Sequence, residues 1–420
     1  MLTCVLILQV LFMNKSKLIA AIDVGSSKIV TLLGQVRDDN PDKIHIVGVC
    51  SVPSKGIKKG QVVNIEESVD SIVESVEGAE RMAGYNLSKA YVSVDGAHIT
   101  SQNSQGVVAV SQPHGEINAE DVRRVLEAAR AISLPSATEI IHVIPRNYTV
   151  DGQEGIKDPV GMTGVRLEVG THIVIGASTA VRNLQKCLDE VGCDVTAIVF
   201  SGLASSYAVL TNTEKELGVV LVDIGAGTTD VAVFVDGALS HSAVLPVGAK
   251  NVTNDLAIGL RISLESAEKI KVHLSSLKAK DKEDEIDVTS LGLIEEVKSV
   301  SFKTLVEGII RPRLNEIFQA VGQELKKANL IGLTPAGLVI CGGGAITVGA
   351  SDSAKRVLSM PVRVGYPTDI SGLIDEIENP SFATSVGLLK YANISNETTS
   401  KPAFNLNLGR LGELIKSLLP

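Results

Sequence analysis

Two short segments, some 200 positions apart, repeat one uncommon pattern: an apolar strand ending on Asp, a Gly turn carrying hydroxyl side chains, and then a second strand where a helix would be usual. The first is Ile22-Asp23-Val24-Gly25-Ser26-Ser27-Lys28. The second is Leu221-Val222-Asp223-Ile224-Gly225-Ala226-Gly227-Thr228-Thr229-Asp230. Each opens the same run of elements. Around the first, LIAAIDV, KIVTLLGQV and IHIVGVCSV read as successive strands, short and apolar between turn residues. A helix follows, started by Asn64 with Glu67 three residues on, striped by Ile65, Val69, Ile72, Val73 and Val76, and stopped at Gly84. Around the second, GVVLVDI, TDVAVFV and ALSHSAVLPV read as strands, with a helix near Asn251. A repeat at this spacing is too long for a solenoid and predicts two similar α/β lobes.

The turns themselves suit phosphate. Gly25, Gly225 and Gly227 let the main chain approach closely and aim N–H groups at an anion, Ser26, Ser27, Thr228 and Thr229 add hydroxyl donors, and Lys28 adds a cation. Asp23 and Asp223 can orient waters of a bound Mg2+. One Asp-x-Gly-Ser turn is equally an ordinary hairpin, but two matched copies are hard to explain that way. A Walker loop or a dinucleotide fingerprint would lead into a helix, and both loops here lead into strands. The expected ligand is a nucleoside triphosphate held between the lobes. Two further groups could complete its site. Gly342, Gly343 and Gly344 follow the apolar run Val339-Ile340-Cys341, where they either let a flat base lie on the backbone or form a flexible strand-to-helix turn. Glu268 and Lys271, at i and i+3 of one helix, either reach a ribose and base edge or make a surface ion pair.

Composition removes several alternatives. The 420 residues are 45% apolar, enough for a large core and more than one domain. A net charge of −9 and a pI near 5.4, with no basic window interleaved with aromatics, argue against nucleic acid as a partner. The five cysteines form no CxxC pair and no disulfide framework, which fits a reducing cytoplasm. The seven histidines are scattered and read as surface or satisfied core residues. Residues 1–12 are apolar yet too short to span a bilayer, and Met13 is the expected start. Stretches of different texture, roughly 98–178 (mixed strands, with a helix at Ala119–Ala131) and roughly 252–330 (helical and charged), read as insertions into the lobes. After a linker rich in Asn, Ser and Thr, Leu408, Leu411, Ile415 and Leu418 form one stripe flanked by Leu414 and Leu419. It reads as a helix lying in a membrane interface or as one docking back onto the body or a partner.

The paired phosphate turns, the Gly342–Gly344 cluster and the Ala267-Glu268-Lys269-Ile270-Lys271 helix together resemble the superfamily of actin, Hsp70 and the sugar kinases. More narrowly, the chain resembles the FtsA family of bacterial cell-division proteins. The resemblance rests on Cys50-Ser51-Val52-Pro53-Ser54-Lys55-Gly56, His142-Val143-Ile144-Pro145, Gln153-Glu154-Gly155-Ile156-Lys157-Asp158-Pro159-Val160-Gly161, Ser201-Gly202-Leu203-Ala204-Ser205-Ser206-Tyr207 and the terminal amphipathic segment, and it runs from about Lys17 to the C-terminus. It implies an actin-like two-lobed fold of duplicated ribonuclease-H-like cores: residues 13–97 plus 179–213 for the first lobe, 98–178 for a family-specific α+β insertion, 214–251 plus 331–392 for the second lobe, 252–330 for a helical insertion flanking the nucleotide, 393–407 for the linker and 408–420 for a membrane-targeting helix. It implies ATP with Mg2+ held through water by Asp23 and Asp223, head-to-tail self-assembly at the cytoplasmic face of the inner membrane, and residence at the division septum. There the chain would anchor the FtsZ ring through the FtsZ C-terminal peptide, bound on the helical insertion, and recruit other divisome proteins. A pilus-assembly ATPase sharing the insertion and a metabolite kinase are the competing readings.

Hydrolysis needs a Gln, Glu or Asp to orient the attacking water. Hsp70-like relatives carry Glu-Pro on the helix connecting the lobes, whereas the matching positions here are Ser201-Gly202, and the sequence offers no candidate carboxylate near the first turn beyond Asp23. The expectation is a nucleotide-controlled switch with at most slow turnover, below the ~10 s−1 of a metabolic kinase.

Overall fold

The computed structural model describes residues 17–37, 40–111, 115–277, 284–375 and 377–399. Two sheets with matching strand order form its frame. In the first, Lys17–Val24, Lys28–Arg37 and Asn40–Pro53 make an antiparallel meander, and Lys89–Val94 and Asp194–Phe200 extend it in parallel on the far side of Lys17–Val24. In the second, Val219–Ile224, Thr229–Val235 and Ala238–Leu245 make the meander, extended in parallel by Leu338–Cys341 and Val362–Val364. The duplicated sequence pattern is therefore a duplicated topology, the α/β actin-like fold. Val219–Ile224 (VVLVDI) is buried at every residue, as a near-continuous apolar run must be when both faces of its sheet are covered. Both turns close alike, with Gly25 N–H donating to Lys28 O at 3.1 Å and Gly225 N–H to Thr228 O at 2.9 Å.

Helix Ser201–Val209 joins the lobes. All of it except Tyr207 is buried, and its small residues (SGLASSYAV) let it pass between the two cores. Helix Ala383–Thr399 crosses it so closely that a Cβ at Gly387 would lie 1.9 Å from Ala204 O. That helix belongs to the first lobe, since Val386, Leu388 and Leu389 enter the same core as Ile22, Leu32 and Val92. Strand Ile370–Gly372 also pairs with Asn40–Pro53. The expected second-lobe range 331–392 is thus corrected: its last third returns to the first sheet, because edge pairing and burial of Ile377 and Phe382 hold it there. The linker expected from Asn393 is corrected as well. The helix continues to Thr399, its register already set by buried Ala392, so residues whose composition suggests coil extend a formed helix. The segment carrying Leu408, Leu411, Leu414, Ile415, Leu418 and Leu419 lies outside the described residues.

The first insertion is a four-stranded antiparallel sheet in the order Thr100–Ala109, Arg166–Ala177, Thr138–Val150, Gln153–Ile156, with helix Ala119–Arg130 on one face. Asn118 caps that helix and Asp121 returns the bond to the Asn118 N–H. The sheet also reaches the second lobe: the Ser101 hydroxyl donates to Ser242 O at 2.7 Å, Asn103 Nδ2 to Ser240 O at 3.3 Å, and His172 Nε2 lies 2.9 Å from the Ser242 hydroxyl. The second insertion holds helix Leu264–Ser276, the hairpin Glu285–Asp287 with Ser299–Ser301, and a long helix from Phe302 to Lys327 that passes through a π turn at Val306–Ile310. It is less purely helical than its sequence texture implies.

Candidate functional site

A cleft of about 650 Å³ opens where the two meanders face each other. The first turn contributes Asp23, Gly25, Ser26, Ser27 and Lys28, and the second contributes Asp223, Gly225 and Thr228. Gly342, Gly343 and Gly344 border it on one side, Glu268 and Lys271 on another. Of the residues expected from sequence, Gly227 and Thr229 do not line it. A Cβ on Gly227 would stand 3.0 Å from Ser26 Oγ and 3.1 Å from Lys59 Cα, so this glycine lets the two turns close on one another. Thr229 is buried and donates its hydroxyl to Val247 O at 2.8 Å, which commits it to the strand framework.

Among the described residues, the backbone N–H groups of Ser26, Ser27 and Ala226, all on the cleft, donate to no acceptor of the chain, which leaves them for an anion. The carboxylates sit one per lobe. Asp23 accepts from the Ser93 hydroxyl at 2.8 Å, and burial pushes its pKa up to about 6, against the pull of Ser93 and Lys28. Asp223 is also raised by burial, although the Ser205 and Thr384 hydroxyls both donate to its Oδ2. Burial draws Lys28 down to about 8; its Nζ donates to the Ser381 hydroxyl at 3.1 Å and stands 3.6 Å from the centre of the Phe382 ring. Two carboxyl groups displaced toward neutrality in one cleft mark a place where an added cation restores their charge. Among the described residues no three His, Cys, Asp or Glu side chains are arranged to hold a metal ion by themselves.

The glycine cluster is built for close approach. Gly342 has φ +80°, and a Cβ there would lie 2.2 Å from Asp223 Oδ1; one on Gly344 would lie 2.3 Å from Ile224 Cγ2. Across the cleft Lys271 is buried, its Nζ 2.7 Å from Glu268 Oε2 and 3.0 Å from Thr253 Oγ1. The pair therefore forms part of the cleft wall. Leu264, Val272 and Ile346, all partly exposed, add apolar surface between it and the glycines.

Sequence reasoning missed Asp95 and Asp230, and the expectation that only Asp23 stands near the first turn is corrected. Asp95 follows strand Lys89–Val94, the parallel neighbour of Lys17–Val24, so the two strands deliver their C-terminal residues to the same edge. Val94-Asp95-Gly96 even repeats the signal of a strand ending on Asp before Gly. The Thr228 hydroxyl donates to Asp95. Asp230 lies opposite Asp223 in strand register, and burial, then the charge of Asp95, raise its pKa well above the carboxylate range. Its Oδ1 has no hydrogen-bond partner. Ser201 does line the cleft, but its hydroxyl donates to Val94 O at 3.1 Å.

Similarities to known proteins agree with this architecture. The family model described as "SHS2 domain inserted in FTSA" matches residues 96–175, and that described as "Cell division protein FtsA" matches residues 220–387. The chain is 42% identical over 380 residues to the cell division protein FtsA of Pseudomonas aeruginosa, covering 90% of each chain, and 41% identical over 382 residues to that of Bacillus subtilis, covering 90% of this chain and 84% of the relative. Among solved structures, a "PilM-PilN type IV pilus biogenesis complex" aligns with a TM-score of 0.63 at 17% identity, covering 90% of this chain and 98% of that one. MreB5 of Spiroplasma citri bound to AMPPNP aligns at 0.54 and 13%, covering 91% and 98%; these likenesses bear on the fold alone. Among the described residues no helix is long and apolar enough to cross a membrane. With relatives above 40% identity along nine-tenths of its length, the chain belongs to the FtsA family of bacterial cell division proteins.

Proposed function

We propose that this chain binds ATP with Mg2+ in the interlobe cleft and, so loaded, assembles head to tail on the cytoplasmic face of the inner membrane, where it anchors the FtsZ ring and recruits later divisome proteins. The observation that carries the nucleotide reading is the confrontation of two matched phosphate turns across one cleft, each led by an Asp, half-buried at Asp23 and buried at Asp223. Ser26, Ser27 and Ala226 offer N–H groups to the phosphates, Lys28 a cation, and Asp23 and Asp223 hold Mg2+ through its waters. Gly342 to Gly344 and the Glu268–Lys271 pair border the base and ribose. The MreB5 neighbour, which shares the fold, was solved bound to AMPPNP.

The membrane and ring roles rest on the family and on the terminal stripe. With only Arg410 and Lys416 as cations in that segment, one tail is a weak anchor, so stable attachment needs many tails in one polymer. The FtsZ C-terminal peptide is assigned to the insertion at 252–330. The pilus-assembly and metabolite-kinase alternatives lose ground to relatives at 42% identity. Liposome co-sedimentation with and without ATP·Mg2+, comparing the full chain with one truncated after Asn405, tests the reading. ATP-promoted pelleting abolished by the truncation is expected; if both chains stay soluble in every condition, the tail is a docking element and the membrane role fails.

A further inference from the structure

A two-stranded hairpin, Ile57–Lys58 paired with Gln61–Val62, stands where the two phosphate turns meet, outside the residues that line the cleft. Its turn residues, Lys59 at φ +48° and Gly60 at φ +74°, have the backbone of a type I′ turn, which favours Asn or Gly at both places. Lys59 is therefore strained, and strain of this kind persists only where surrounding contacts impose it. The base of the hairpin is fixed: Val63 and Asn64 both donate their N–H to Gly56 O, at 2.8 and 3.1 Å, against the start of helix Ile65–Ala83. The tip is held by both lobes. Gly60 N–H donates to the Ser26 hydroxyl oxygen at 2.8 Å, and Gly60 packs so tightly on Asp95-Gly96 that a Cβ there would lie 2.7 Å from Asp95 C and from Gly96 N. From the second lobe, Gly227 comes against Lys59, since a Cβ on Gly227 would stand 3.1 Å from Lys59 Cα and 3.2 Å from Lys59 N. Thr228, next to it, donates its hydroxyl to Asp95.

Resting on the nucleotide reading above, we infer that this hairpin is a strap that docks when the cleft is occupied and releases when it empties, so that nucleotide state is displayed at the surface by Lys58 and Lys59, both exposed. Ser26 is the first link. It lines the cleft, and while its oxygen accepts from Gly60 its own proton can go to a phosphate oxygen, so one bound phosphate orders turn and hairpin together. Gly227 is the second link. It meets the tip only while the lobes stand as close as they do here, and a nucleotide gripped by both turns holds them there. The strain at Lys59 opposes docking, so contacts from both lobes are needed to keep the tip in place. Coupling of this kind is reciprocal: whatever favours docking tightens nucleotide binding by the same factor.

The test follows hydrogen exchange at the amides of residues 58–62 in the full chain, with and without AMPPNP·Mg2+, and measures AMPPNP affinity by calorimetry, for wild type, Gly60→Ala and Lys59→Asn. Neither substituted residue lines the cleft. Gly60→Ala forces the tip off Asp95-Gly96, whereas Lys59→Asn relaxes the turn in its docked form. In wild type, AMPPNP should slow exchange at these amides by about tenfold or more. Gly60→Ala should exchange fast in both conditions and bind AMPPNP about fivefold more weakly, and Lys59→Asn should exchange more slowly than wild type without nucleotide and bind AMPPNP up to about fivefold more tightly. Wild-type exchange equal with and without AMPPNP, or an affinity that either substitution leaves unmoved, overturns the inference. Failure of the wild-type chain to bind AMPPNP at all would overturn the nucleotide reading beneath it.

Discussion

The joint between the inserted sheet and the second lobe should weaken in acid, by an amount that one histidine fixes. His172 is 1% exposed; its Nδ1–H donates to Asn103 Oδ1 at 2.8 Å and its Nε2 accepts from the Ser242 hydroxyl at 2.9 Å, so the ring is satisfied in its neutral form. Burial lowers its pKa from 6.5 to about 3, and His241, Arg146 and His142 push the same way. The unfolded chain takes up this proton near 6.5, while the folded chain refuses it until near 3. The contribution is therefore fully present above pH 6.5 and falls away as pH drops. At 1.36 kcal/mol per unit, moving from pH 7.5 to 5 removes about 2 kcal/mol through this residue. Urea unfolding at both pH values, for wild type and His172→Gln, isolates the share: wild type should lose about 2 kcal/mol more than the variant. His142, lowered to about 4 by burial, adds a second share common to both proteins. Equal losses in the two proteins would mean that His172 is not held neutral at this joint.

Other outcomes follow from close contacts. Gly342→Ala must place a Cβ 2.2 Å from Asp223 Oδ1 at φ +80°, and should cost at least tenfold in affinity for a fluorescent ATP analogue, whereas Gly343→Ala meets nothing nearer than Ser381 Cβ at 3.7 Å and should bind normally. Gly387→Ala pushes helix Ala383–Thr399 off Ala204 and should destabilise the chain by about 1–3 kcal/mol, read as a lower melting temperature; an unchanged melting temperature contradicts the described crossing. Lys271→Met removes the buried partner of Glu268 and Thr253 and should weaken nucleotide binding about tenfold by calorimetry while leaving phosphate alone unaffected.

Local patterns in the chain carry the lobes almost completely. The strands around Asp23 and Asp223 are short apolar runs between turns, and their repetition gives the topology of both sheets. What pattern could not carry is pairing between distant segments. Asp95 lies beside Asp23 only because Lys89–Val94 pairs in parallel with Lys17–Val24, a contact across some 70 positions. The return of Ile370–Gly372 to the first sheet is a pairing across more than 300 positions, with only three residues to announce it. Thr229 was legible as a hydroxyl in a phosphate turn, but strand alternation sends its side chain toward Val247. The helix running to Thr399 shows the converse: Asn, Ser and Thr favour coil weakly, and a helix already packed through Val386, Leu389 and Ala392 overrides them.

Calorimetric titration of the full chain with AMPPNP, with and without Mg2+, in wild type and Asp223→Asn, tests the central claim most directly. The account predicts one site per chain, tighter with Mg2+, and loss of that Mg2+ enhancement in the variant. Absence of binding in wild type, or binding that neither Mg2+ nor the substitution alters, would contradict the assignment of the two turns and their carboxylates to a nucleotide and its metal.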